Sequence, residues 1–151
     1  MNPAWHTHLR SHHAIIENNH VIHFGNMAAE LSATRTDTIM TDLSHFGLIR
    51  FSGEDAQPFL QGQLSCDVRE ISLQKAQYGS YCTPKGRMLA SFLLWQHHDD
   101  CFMQLPASLL ASVGLAIESA EQMSRAASQT NLFNEIDGHA HMKPQLVDVN
   151  A

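Results

Sequence analysis

One stretch limits the possible folds more than any other. In residues 87–96 apolar side chains occupy both alternating faces: Leu89, Leu93 and Trp95 share one with Arg87 and Ser91, and Met88, Ala90, Phe92 and Leu94 share the other. A strand of this kind lies in the middle of a sheet or is covered by helices. Turn chemistry on each side supplies its partners. Pro84-Lys85-Gly86 separates it from an extended run at Tyr78–Thr83, and His97-His98-Asp99-Asp100 separates it from another at Cys101–Leu105. Three strands joined by such turns form an antiparallel meander. Pro106 then opens a helix whose Leu109, Val113, Ile117 and Ala120 line one stripe.

Upstream, the spacing predicts a helix over Ala4–Ile15, a strand over His20–Phe24, helical turns over Met27–Ala33, and strands at Thr38–Met40 and Phe46–Phe51. Ala56, Phe59, Leu60 and Leu64 recur at helical spacing, and a cap at Asp55 places Pro58 in the first turn, where its missing N–H is tolerated. From about Glu121 the pattern fades into polar residues, and Val147-Asp148-Val149 is too short to stand as an element. The fold class expected is α+β, a mainly antiparallel sheet with packed helices.

A chain of 151 residues suits one soluble domain, and a length of that order buries roughly 68–70% of its unfolded surface. Net charge is −6 with only 9 Lys and Arg, which disfavours nucleic acid as a direct partner. Leu109–Ile117, broken by Ser112 and Gly114, falls short of the about 18 apolar residues of a membrane span, and the N-terminus lacks signal-peptide character. The cytoplasm is the expected location. Cys66, Cys82 and Cys101 are odd in number and widely spaced, so reduced, buried thiols are expected. Eleven histidines are the compositional oddity. On a helix His8 and His12 would share a face and could form a metal pair, but no Cys or carboxylate at useful spacing completes a site, so exposed, unliganded imidazoles are expected.

No nucleophile elbow, phosphate loop or dinucleotide fingerprint occurs. Three words stand out instead: Asp42-Leu43-Ser44-His45-Phe46-Gly47 running on to Asp55-Ala56, then Phe59-Leu60-Gln61-Gly62-Gln63-Leu64-Ser65-Cys66-Asp67, then Tyr81-Cys82-Thr83-Pro84-Lys85-Gly86-Arg87-Met88. Over roughly residues 20–118 they resemble the N-terminal part of the YgfZ-type folate-binding proteins, relatives of the glycine cleavage T protein, an aminomethyltransferase. The resemblance implies an aminomethyltransferase-like N-terminal domain over residues 1–120, followed by a diverged or poorly ordered tail over 121–151. It also implies tetrahydrofolate as cofactor and support of iron–sulfur cluster assembly and tRNA modification, with iron–sulfur enzymes as partners.

By that resemblance Phe46 matches an aromatic position that packs on folate, usually a Trp. Its other reading is a sheet-face core residue. Lys85 and Arg87 are the candidates for the glutamyl carboxylate, against a reading as ordinary solvated turn charges. Tyr78 and Tyr81 lie on opposite strand faces, so at most one can look into a shared cleft, and Tyr78 is the candidate. Gln61 and Gln63 read as hydrogen-bonding partners of the helix exit, and Asp67 as the cap of a following turn. The aminomethyltransferase carries a paired Asp-Asp after its Gly-rich turn, and the matching pair here is Ala90-Ser91, which supplies no carboxylate. The family's Lys-Gly-Cys-Tyr-x-Gly-Gln-Glu motif is absent as well. The expectation is a truncated or diverged member, not catalytic alone, whose uncovered face invites self-association. A folate-dependent aminomethyltransferase, and a non-binding interaction module or nonfunctional gene fragment, are the alternatives.

Overall fold

The computed structural model describes residues 2–131 and 143–147. They divide into two units, Met1–Phe46 and Gly47–Val147. In the first, the Asn2 side chain accepts the N–H groups of Ala4 and Trp5 at 2.9 and 3.3 Å. Pro3 follows with its φ already suited to a helix, so α1 spans Pro3–Ser11. It ends well before Ile15, the end expected from sequence. His13 adopts a left-handed conformation (φ 64°), the Ala14 N–H closes on the Leu9 carbonyl at 3.1 Å, and the chain leaves extended. Strands β1 (Ile15–Glu17) and β2 (His20–His23) then pair antiparallel across Asn18 and Asn19, both at positive φ.

Helix α2 (Met27–Thr36) starts at Asn26, which accepts the Ala29 N–H at 3.1 Å, while Glu30 accepts the Asn26 N–H at 3.2 Å. It extends past the expected Ala33 and buries no residue. Thr38–Met40, expected as a strand, is irregular. β-Branched residues supply propensity there, but propensity without a neighbouring strand makes no ladder.

The second unit is built on a five-stranded sheet. Its elements in chain order are β3 (Phe46–Ser52), α3 (Ala56–Gln63), a 3-10 turn at Val68–Glu70, β4 (Gln77–Cys82), β5 (Met88–His97), β6 (Asp100–Pro106), a second 3-10 turn at Ala107–Leu109, α4 (Leu110–Asn131) and β7 (Lys143–Val147). The strand order is β4-β5-β6-β3-β7, and the β4–β5, β5–β6 and β3–β7 pairs are antiparallel. The expected meander is therefore present, with β5 an interior strand.

One face of this sheet is the core. Ile49 and Phe51 of β3, Tyr81 of β4, Ala90, Phe92 and Leu94 of β5, and Met103 and Leu105 of β6 meet Leu60 of α3 and Val113 and Ile117 of α4. The opposite face is not buried. Leu89 is 43% exposed, Ser91 is exposed, Leu93 is half-buried, and Trp95 stacks on Phe102 with ring centroids 5.8 Å apart. The apolar pattern of β5 thus reflects its interior place in the sheet rather than cover on both sides.

α3 begins directly after Asp55, as expected, yet the Asp55 side chain makes no capping bond. The first turn is closed instead by Ala56 N–H to the Gly53 carbonyl and Phe59 N–H to the Asp55 carbonyl, both at 3.0 Å. Pro106 precedes a short 3-10 turn, and α4 itself starts only at Leu110. α4 continues to Asn131, across the boundary at residue 120 drawn from sequence. β7 pairs with β3 through registers such as Leu48↔Val147 and Ser52↔Lys143, so Val147 ends an edge strand, while Asp148 and Val149 lie outside the described residues.

Candidate functional site

The β4–β5 hairpin positions three of the four candidate residues. Pro84 sets the first corner of the turn and Gly86 (φ 78°) the last. Two 2.8 Å bonds close it, Gly86 N–H to the Thr83 carbonyl and Thr83 N–H to the Arg87 carbonyl, and the Arg87 N–H donates to Thr83 Oγ1 at 3.1 Å. The Lys85 and Arg87 side chains are left exposed, with no ion pair among the described residues. Tyr78 lies opposite Leu93 at the other end of β4, 83% exposed. From the turn it is roughly 13 Å or more along the strand. The hairpin therefore gathers Lys85 and Arg87 but not Tyr78. Tyr81 points the other way, into the core, where burial pushes its hydroxyl pKa up.

Ala90 is buried opposite Tyr81, and Ser91 faces out opposite Ser80. This stretch of β5 offers an aliphatic methyl to the core and one hydroxyl to the open face.

Phe46 opens β3. Its N–H bonds the Leu43 carbonyl at 2.9 Å, its ring is half-buried, and it rests beside the His45 imidazole with centroids 4.2 Å apart. It does not line either of two neighbouring cavities in the N-terminal unit.

The α3 exit is structural, as its residue types suggested. Gln61 accepts the Val68 N–H at 2.7 Å and Gln57 donates to the Val68 carbonyl at 3.1 Å, which pins the 3-10 turn to the helix. Asp67 caps that turn through the Arg69 N–H at 3.1 Å and takes two 2.8 Å bonds from the Arg69 guanidinium. These bonds from Arg69 hold the Asp67 carboxyl below its ordinary range. All three cysteines are free thiols, and burial pushes the pKa of Cys66 and Cys101 up, away from thiolate chemistry.

Sequence reasoning missed a polar anchor in the first unit. The Trp5 indole N–H donates to Asp42 Oδ1 at 2.7 Å, and the same oxygen accepts the Ser44 hydroxyl at 2.7 Å and the Ser44 N–H at 3.3 Å. Burial alone would raise the Asp42 pKa, but the bonds from Trp5 and Ser44 outweigh it and hold the carboxyl below its ordinary value. The Asp-x-Ser spacing was the available signal, because such a pair commonly closes on itself as a turn.

A carboxyl depressed in the fold stabilises fully above its ordinary pKa and loses that contribution as pH falls through its folded value. Asp42→Ala is thus expected to cost about 1 kcal/mol at neutral pH, after allowance for solvent screening. The gap from the parent should be constant above about pH 5 and narrow below about pH 4. Urea midpoints over that range check it, and a gap that widens on acidification would contradict the assignment.

The helical pair His8 and His12 is brought together, with ring centroids 4.6 Å apart, and Trp5 stacks on His8 at 5.1 Å. Among the described residues no group of three or more His, Cys, Asp or Glu is placed to hold a metal ion. No helix among them is long and apolar enough to cross a membrane.

Against known proteins, the family model of the GCVT N-terminal domain matches residues 2–139. The chain belongs to that family. Relatives of this GCVT N-terminal domain carry two kinds of name. An aminomethyltransferase of Bacillus velezensis is 32% identical over 82 residues, which make up 54% of this chain and 22% of the relative. A tRNA-modifying protein YgfZ of Colwellia psychrerythraea is 40% identical over 58 residues, 38% of this chain and 18% of the relative. The chain spans about a fifth of the length of these relatives. In fold it is similar to the crystal structure of the glycine cleavage system aminomethyltransferase T from Bartonella henselae, with TM-score 0.51 and 16% identity over 69% of this chain and 25% of that one. The α+β class and the likeness to an aminomethyltransferase N-terminal region both follow.

Proposed function

We propose that this GCVT N-terminal domain binds tetrahydrofolate, supports iron–sulfur cluster assembly and tRNA modification in the cytoplasm, and transfers no aminomethyl group by itself. The observation that carries this reading is family membership combined with Ala90-Ser91 on β5, where no carboxylate is available to act at the folate nitrogen. The residues present suit such a ligand. Lys85 and Arg87 offer two exposed cations without a carboxylate partner among the described residues, which suits an anionic glutamyl tail. Phe46 offers a half-open flat ring, which suits stacking. When bound, the folate would supply the one-carbon chemistry, and this chain's residues would only hold it. Folate and iron–sulfur enzymes are the partners in this reading, with self-association through the open face of the sheet and no direct contact to nucleic acid.

Titration of the purified chain with tetrahydrofolate tests the proposal. Saturable binding below millimolar is expected. Phe46→Ala should weaken it about tenfold, and Lys85→Ala or Arg87→Ala about threefold each, in a salt-dependent manner. Absence of saturation would remove the ligand. The aminomethyltransferase relatives favour a second reading, a catalytic domain. It requires folate-dependent one-carbon transfer by this chain, whereas the β5 sequence leads us to expect none.

A further inference from the structure

We propose that the N-terminal unit carries a second ligand site, independent of the folate reading, in which Asp42 and the surrounding rings receive a small organic cation with an apolar body, such as an aryl-alkyl amine. Two neighbouring cavities carry the argument. One, of about 240 Å³, is walled by Trp5, His8, Leu9, Phe24 and Met40 and reaches Asp42. The other, of about 270 Å³, runs along Val21 and His23 to Glu30 and His45. Phe24, Thr41 and Asp42 line both, so the two cavities adjoin at these residues.

The walls carry two carboxylates and the imidazoles of His8, His12, His20, His23 and His45. Among the described residues, Asp42 and Glu30 are the lining carboxylates, and no Lys or Arg lines either cavity. Asp42 is also half-committed. Its Oδ1 holds Trp5 and Ser44, which fixes the carboxylate plane, while Oδ2 takes no hydrogen bond among the described residues. Glu30 repeats the pattern, with Oε1 bound to the N–H groups of Phe24 and Asn26 and Oε2 open. A pre-oriented, ionised acceptor beside aromatic faces suits an ammonium group, because charge pairing and attraction to the ring quadrupoles act on the same atom. The apolar wall of Leu9, Phe24 and Met40 then suits a hydrocarbon body, and a cavity of this size excludes a large one.

The test uses the full chain at a pH of about 8, where imidazoles in general are uncharged. Benzylammonium is the probe, benzyl alcohol its neutral counterpart, and the Trp5 indole N–H resonance the readout, since that proton sits on Asp42. Benzylammonium should shift this resonance saturably at about millimolar concentrations, as befits so small a ligand, and benzyl alcohol should bind at least about tenfold more weakly. Asp42→Asn keeps an oxygen for the indole but removes the charge, and should reduce benzylammonium to the level of the alcohol. Equal binding of the two probes to the parent chain would overturn the proposal. So would a lack of saturation, or a folded Asp42→Asn variant that binds the cation unchanged. Should that variant fail to fold, the comparison of the two probes on the parent chain decides alone.

Discussion

Phe51→Ala is expected to lower the folding free energy of the second unit by about 3–5 kcal/mol, the usual range for emptying a fully buried phenylalanine site. Phe51 is 0% exposed and sits on β3, between β6 and β7 in the strand order, with its ring on the core side together with Ile49. Removing the ring forfeits its transfer free energy and leaves a cavity that the surrounding Leu60, Met103 and Ile117 can only partly refill. Domains of this size are stable by about 5–15 kcal/mol in total, so the variant should be near the edge of folding at 37 °C. Leu48→Ala is the matched control. It removes a half-buried side chain of the same strand from the opposite face and should cost about 1 kcal/mol. Urea midpoints of the two variants give the comparison. Equal losses would mean that the sheet buries both faces or neither, contrary to the described packing.

The meander was legible in the sequence because its information is local. Alternation in residues 88–97, turn residues on both sides and a short return to β6 leave little choice of pairing. What was illegible depended on distance or on the absence of a pattern. Residues 121–131 lack an apolar stripe, yet Glu121, Gln122, Met123, Arg125, Ala126 and Ala127 are all good helix formers, and a helix already nucleated at Leu110 propagates through them. β7 was hidden because its partner is β3, far upstream, and because Pro144 argues against a strand except at a sheet edge, which is where it lies. The end of α1 turned on a histidine in a left-handed conformation, which non-glycine residues adopt only uncommonly. In the candidate site, Gln61, Asp67 and the turn that carries Lys85 and Arg87 were readable from type and spacing, whereas the second glutamine bond comes from Gln57 and not from the expected Gln63. The Trp5–Asp42 bond was not, since its partners are 37 positions apart and Trp5 belongs to no motif.

At Gly79 the addition of a single methyl group should do harm. A Cβ there would lie 2.7 Å from Cε2 and Cζ of Phe92 and 2.8 Å from Sγ of Cys66, both buried residues. Phe92 is the register partner of Gly79 across β4 and β5, and its ring occupies the space that a side chain on β4 would need. Gly79→Ala should therefore lose about 1–3 kcal/mol from overpacking, even though alanine suits a strand better than glycine does, and Gly79→Val more. Two comparisons separate crowding from a general intolerance of substitution. At Gly62, inside α3, a Cβ meets nothing within 4 Å, so Gly62→Ala should stabilise by about 0.5–1 kcal/mol through helix propensity. In the second, Phe92→Leu frees the space of the ring, so the loss caused by Gly79→Ala should be smaller in that background than in the parent, by about 1 kcal/mol or more of coupling. Additive losses in this double-mutant cycle would show that Phe92 does not set the requirement for glycine, and the backbone of β4 would then have to supply it.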